Sequence, residues 1–102
     1  MSNNLSFNQV KNIHLKRLAQ YVPIVARVHG EHHPEFYEVQ KVYDELERKI
    51  IAAGMETPDL KEAFERLREV TDNYTVPKDV CESYEAVYTM LSELDKAYEV
   101  NQ

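Results

Sequence analysis

The chain has 102 residues, with 12 Lys and Arg against 18 Asp and Glu for a formal charge of -6, and 43% hydrophobic and 29% charged residues. That length builds one hydrophobic core, so residues 1-102 are read as a single domain of the soluble globular class. The charge opposes binding to a phosphate backbone and argues against nucleic acid as a partner. No apolar run reaches the roughly 20 residues that span a bilayer, which argues against a membrane-crossing protein, and the only glycines, Gly30 and Gly54, are too few for a phosphate-cradling loop.

The start, MSNNLSFNQV, lacks the basic-then-apolar layout of a secretory signal. The single cysteine, Cys81, cannot close an internal disulfide, and both features point to a cytoplasmic protein. A first helix is expected from a Ser6 cap to about His29, with Val10, Ile13, Leu18, Tyr21, Val25 and Val28 near one face and Gly30 as its stop. Pro23 removes one backbone bond and crowds the carbonyl of Ala19, which predicts a kink or a division into two shorter helices.

A second helix opens with Pro34 at the first helical position and Glu35 in the first turn, and stops at Gly54. Its apolar residues Phe36, Val39, Tyr43, Leu46, Ile50 and Ala53 alternate in steps of three and four, the spacing of a seam that faces a partner helix. A third, short helix is expected from a Thr57 cap through Pro58 and Asp59, carrying Leu60, Phe64, Leu67 and Val70. Asp72 to Pro77 reads as a loop. The fourth helix is predicted to begin at Pro77 or Lys78, with the seam Val80, Tyr84, Val87, Leu91, Leu94 and Tyr98. Four amphipathic helices on short connections predict an all-α, up-down-up-down four-helix bundle.

One stretch concentrates chemistry. His29, Glu31, His32, His33 and Glu35 lie at the turn between the first two helices, and imidazole with carboxylate suits zinc, iron or nickel. A metal protein using His29, His32 and His33, with donors shared across a homo-oligomer, is one reading of the turn. The other is a polar, solvated turn in which a histidine caps a helix. His14 lies about four turns before His29, too far along the helix to complete a site there. Cys81 has no histidine near it in sequence and reads as a small thiol packed in the bundle. The tyrosines Tyr43, Tyr84 and Tyr98 fall on apolar seams, and pairs such as Glu45 with Lys49 and Glu62 with Arg66 read as solvated faces.

Two stretches, VARVHGEHHPEF at residues 25 to 36 and FERLREVTDNYTVPKDVCESYEAVYTMLSELD at residues 64 to 95, resemble the hemerythrin-like domain of the iron-sulfur cluster repair di-iron family. The resemblance runs from about residue 7 onward. It implies a hemerythrin-like bundle whose inward histidines and bridging glutamates hold two irons, in proteins implicated in repairing clusters after oxidative or nitrosative stress. Threading that pattern through this chain places the first-helix ligand at Phe7 or Asn8, the second-helix pair at Lys49 and Ala53, the third-helix histidine on or before Thr57, and the fourth-helix histidine at Asn101. Its partner glutamate would lie beyond Gln102. His29 survives from the turn but stands about 30 Å, some twenty helical residues, from the implied iron layer.

The losses share one end of the bundle, where Gly54 to Thr57 joins two helices directly, so the metal-bearing layer is expected to be deleted. No cofactor is then expected, a di-iron centre following only if the threading is out of register, and an enzyme is not favoured. A bundle shortened there exposes apolar residues, and Ile50, Ile51, Met55, Tyr98 and Val100 are expected to contact a second copy or a protein partner.

Overall fold

The computed structural model describes residues 6–100. Among them are four α-helices and no strand: α1 (Phe7–His29), α2 (Glu35–Ala53), α3 (Lys61–Val70) and α4 (Glu82–Val100). The helices form a four-helix bundle in which α1 lies against α2 and α4, and α2 against α3. Antiparallel order is visible in the side chains. Asn8 near the start of α1 donates to the Met55 carbonyl just past α2 (3.3 Å), and Phe7 meets Tyr98 at the far end of α4 with ring centroids 5.8 Å apart.

Helix α1 begins with a reciprocal cap. The Gln9 amide donates to Ser6 Oγ (3.1 Å) and the Ser6 amide to Gln9 Oε1 (2.9 Å), satisfying two donors that the first turn leaves open. Pro23 lies inside one uninterrupted 23-residue helix, so of the kink or division that it predicts, the division does not occur. The proline ring faces solvent, and its neighbours Val22 and Val25 are anchored in the core, which offsets the missing backbone bond. The buried stripe is Phe7, Val10, Leu18, Val22, Val25 and Ala26, whereas Ile13 and Val28, expected on it, are exposed.

The α2 seam is buried as its spacing predicts, at Phe36, Val39, Tyr43, Leu46 and Ile50, with Val42 added and Ala53 half-buried. Helix α3 starts later than the Thr57 cap predicts. The Asp59 carboxylate accepts from the Lys61 amide (3.3 Å) and the Tyr98 hydroxyl accepts from the Leu60 amide (2.9 Å), so partners outside a helix hold this segment until Lys61. Helix α4 likewise starts at Glu82, five residues after Pro77, with the Cys81 carbonyl accepting from the Glu85 amide (3.2 Å). Arg66 pairs with Glu38 on α2, so this cation ties α3 to its neighbour rather than standing in a purely solvated face.

Between α3 and α4, Asp72, Asn73 and Tyr74 have φ of 54°, 57° and 62°. Left-handed backbone costs an L residue about 1–2 kcal/mol, least for Asp and Asn, so Tyr74 is the one needing compensation. Its amide donates to the buried Thr71 hydroxyl (2.8 Å) and its own hydroxyl to Asp95 Oδ2 (2.7 Å). Arg68 Nε stands 3.1 Å from the same oxygen. Asp95 is buried, and desolvation raises its carboxyl above the ordinary range even though Tyr74 and Arg68 pull it down.

The folded chain therefore holds the Asp95 proton more tightly than the unfolded chain does. This contribution is present at acid pH and is lost as pH rises from the usual carboxylate value through the raised one. Replacing Asp95 by Asn removes it. Denaturant unfolding of Asp95→Asn should gain on the wild type as pH rises from 3 to 7; a pH-independent difference between the two would refute the assignment.

Four of the seven tyrosines, Tyr43, Tyr74, Tyr84 and Tyr88, have hydroxyls whose ionisation burial pushes upward. Unfolding frees them to ionise at about pH 10, so stability declines as pH rises above that value. An absorbance titration should show these four ionising only together with the loss of helical circular dichroism. Ionisation of all seven in a still-folded chain would contradict it.

Candidate functional site

The bundle has two ends of opposite character. At one, the start of α1, the end of α2, the start of α3 and the end of α4 converge, and Phe7, Ile50, Leu60, Phe64 and Tyr98 fill the space between them. Phe64 and Tyr98 have ring centroids 5.3 Å apart, and the Tyr98 hydroxyl is engaged by the Leu60 amide at 2.9 Å. Of the threaded ligand positions, Phe7 is core, Lys49 and Thr57 are exposed and Ala53 offers no donor. Asn8 spends its amide nitrogen on closing the loop after α2, and Asn101 lies outside the described residues. Two irons need about six to eight donor atoms, and this set of side chains does not fit them.

The contact residues expected at that end divide. Ile50 and Tyr98 are buried at 3% and 5% exposure and belong to the core, because both seams turn inward there. Ile51, Met55 and Val100 stand out at 67%, 87% and 59%. Gly54, between them, has φ 62° and ψ -117°, a conformation suited to glycine, and makes the tight reversal that leaves Met55 outside.

At the other end, the chain leaves α1 through Gly30, whose amide donates to the Ala26 carbonyl (2.9 Å). The His29 carbonyl then accepts from the amides of His32 (3.1 Å) and His33 (2.8 Å), which adds a further turn and brings the His29 and His33 rings to 6.5 Å between centroids. Antiparallel packing sets this turn beside the start of α4. His33 Nε2 meets Asp79 Oδ1 at 3.0 Å and its Nδ1 meets Glu35 Oε2 at 3.2 Å, so both ring nitrogens are committed to carboxylates. His29 Nε2 stands 3.2 Å from Cys81 Sγ.

Behind these rings is an aromatic wall. Tyr84 meets His29 edge-on at 5.5 Å, His33 at 5.6 Å and Phe36 at 5.0 Å, and its hydroxyl lies 3.1 Å from that of Tyr88 and 3.5 Å from Glu35 Oε2. Desolvation, then the Tyr88 hydroxyl and the Glu35 charge, hold the Tyr84 phenol protonated, so it serves as a hydrogen-bond donor.

The turn histidines are thus brought together, but not as one ligand set. Among the described residues no three His, Cys, Asp or Glu side chains are placed to hold one metal ion. His32 and Glu31 are exposed. Cys81, expected in the core, is exposed because α4 begins only after it, and its neighbour is a histidine 52 positions away in sequence. Asp79, Tyr84 and Tyr88 also belong to the site and were not legible as such. The available signal was topological: the end of α1 and the start of α4 must be neighbours in an antiparallel bundle.

No family model matches the chain, and no solved structure matches it.

Gly30 is buried under the Tyr37 ring, and a Cβ at this position would collide with that ring and with the Ala26 carbonyl. Gly30→Ala should cost about 1–3 kcal/mol, the usual range for forced overpacking. Chemical unfolding measures it, and an alanine variant as stable as the wild type would show that the ring moves aside freely.

Proposed function

We propose that this chain is a hemerythrin-like bundle related to iron-sulfur cluster repair proteins that lacks a di-iron centre of its own and works through protein contacts. The kinship rests on the two sequence stretches that resemble that family. The observation that carries the functional reading is the donor-poor end of the bundle: Phe7, Ile50, Leu60, Phe64 and Tyr98 pack where the resemblance implies irons, while Ile51, Met55 and Val100 stay exposed around them. A packed, apolar-rimmed helix end is suited to recognition by another surface, whether a second copy of this chain or a different protein. No redox step is assigned to it.

Elemental analysis of protein grown with added iron, read beside light scattering, tests this. The expected result is iron well below one atom per chain, with self-association or a stable heteromeric complex that Ile51→Glu with Met55→Glu disrupts. Two irons per chain with oxo-bridge absorption would overturn the metal part, and a strict monomer with no binding partner would overturn the contact part. The competing reading, a metal shared between the turns of two chains, is favoured only by the exposure of His32 and Glu31. It requires bound metal that disappears on combining His29→Ala, His32→Ala and His33→Ala.

A further inference from the structure

At the polar end of the bundle, a nucleophile and a base stand together. Cys81 is exposed, and the core closes without it. His29 Nε2 lies 3.2 Å from its sulfur, within hydrogen-bond reach for a thiol. The imidazole is not held there by the thiol alone. Its ring is half-buried and set edge-on to Tyr84 at 5.5 Å and 87°, which fixes its direction by packing. A cysteine retained for packing is normally buried and distant from a base, and this one is neither.

We propose that Cys81 is a site of thiol–disulfide exchange with low-molecular-weight disulfides, and that His29 is its base. The Cys81 thiol gives its proton to His29 Nε2, and the sulfur attacks one sulfur of the disulfide. The old S–S bond breaks as the new one forms, and the departing thiolate takes the proton back from the imidazolium. Cys81 ends oxidised in a mixed disulfide, and the other half of the reagent leaves as a reduced thiol.

The surroundings suit this chemistry. Cys81 immediately precedes α4, where amides of the first helical turn lack carbonyl partners within the helix and favour negative charge, against the opposing carboxylates of Glu82 and Glu85 in the same turn. Of the titratable groups nearby, His33 and Glu35 from the turn and Asp79 from the loop are occupied with one another, and Tyr84 on α4 keeps its proton. Their mutual pairing leaves His29 as the group that faces the sulfur. The chain has one cysteine, so no second thiol of its own displaces the adduct, and an external thiol is needed to remove it. This inference concerns the end of the bundle opposite the exposed Ile51 and Met55, and it does not depend on the protein-contact reading.

The test is the second-order rate of mixed-disulfide formation with oxidised glutathione, followed by intact mass, for the reduced wild-type chain and for His29→Gln, with Cys81→Ser as the blank. The variant is expected to react about tenfold more slowly at pH 7 and to match the wild type at pH 10, where a thiol of pKa about 8.5 ionises unaided. Equal rates at pH 7 would overturn the proposal. Circular dichroism checks that the variant is folded. If it is not, the wild-type chain decides: at pH 7 the folded chain is expected to react about tenfold faster than the same chain unfolded in urea, and equal rates overturn the assignment.

Discussion

The ring of Tyr37 lies over Gly30 where any other residue would carry a Cβ, and the geometry of the polar end follows from that approach. It lets the chain reverse within the few residues between His29 and Glu35, so that α2 returns alongside α1. The reversal also fixes where the turn's side chains emerge. The pairing of His33 with Asp79 therefore depends on this tight turn, whereas that of His29, the last residue of α1, with Cys81 follows from the packing of α1 beside α4.

The two ends use aromatic residues in different ways. Around Phe7, Phe64 and Tyr98, rings fill volume, and the one hydroxyl present satisfies a backbone amide at the start of α3. Around Phe36, Tyr84 and Tyr88, the rings form a wall whose hydroxyls and edges meet carboxylate, imidazole and one another. Removing Phe7 or Phe64 at the first end leaves a cavity with its packing cost, whereas removing Tyr84 at the second also leaves polar groups without partners. Chemistry is concentrated at the second end because polar groups accumulate there with a solvent-facing edge.

Most of the helical architecture was legible in the sequence, because α2 and α4 each carry a heptad-like seam and both glycines fall at helix ends. The starts of α3 and α4 were less so. Thr57 and Pro58 satisfy the local rules for a helix start, yet Tyr98, 38 positions after Leu60, captures the Leu60 amide and local propensity is overridden. The same limit governs the site. His29 and Cys81 are each visible, but no local spacing links residues 52 apart, and Cys81 reads as core because no histidine lies near it in sequence and α4 is expected to begin before it. Ile50 differs from Ile51, and Tyr98 from Val100, in burial because each step along a helix turns the direction by about 100°, so residues one or two positions apart divide between core and surface.

The left-handed run through Asp72, Asn73 and Tyr74 bears on the order in which the chain assembles. A ten-residue helix such as α3 is too short to persist alone in water, and three mirror-handed residues after it are unfavourable until their partners arrive. The partner that matters, Asp95, lies on α4, 21 residues beyond Tyr74. Closure of this joint thus needs α4 in place, while α3 itself packs on α2, so the connection is shaped by a residue distant in sequence and not by its own local preferences.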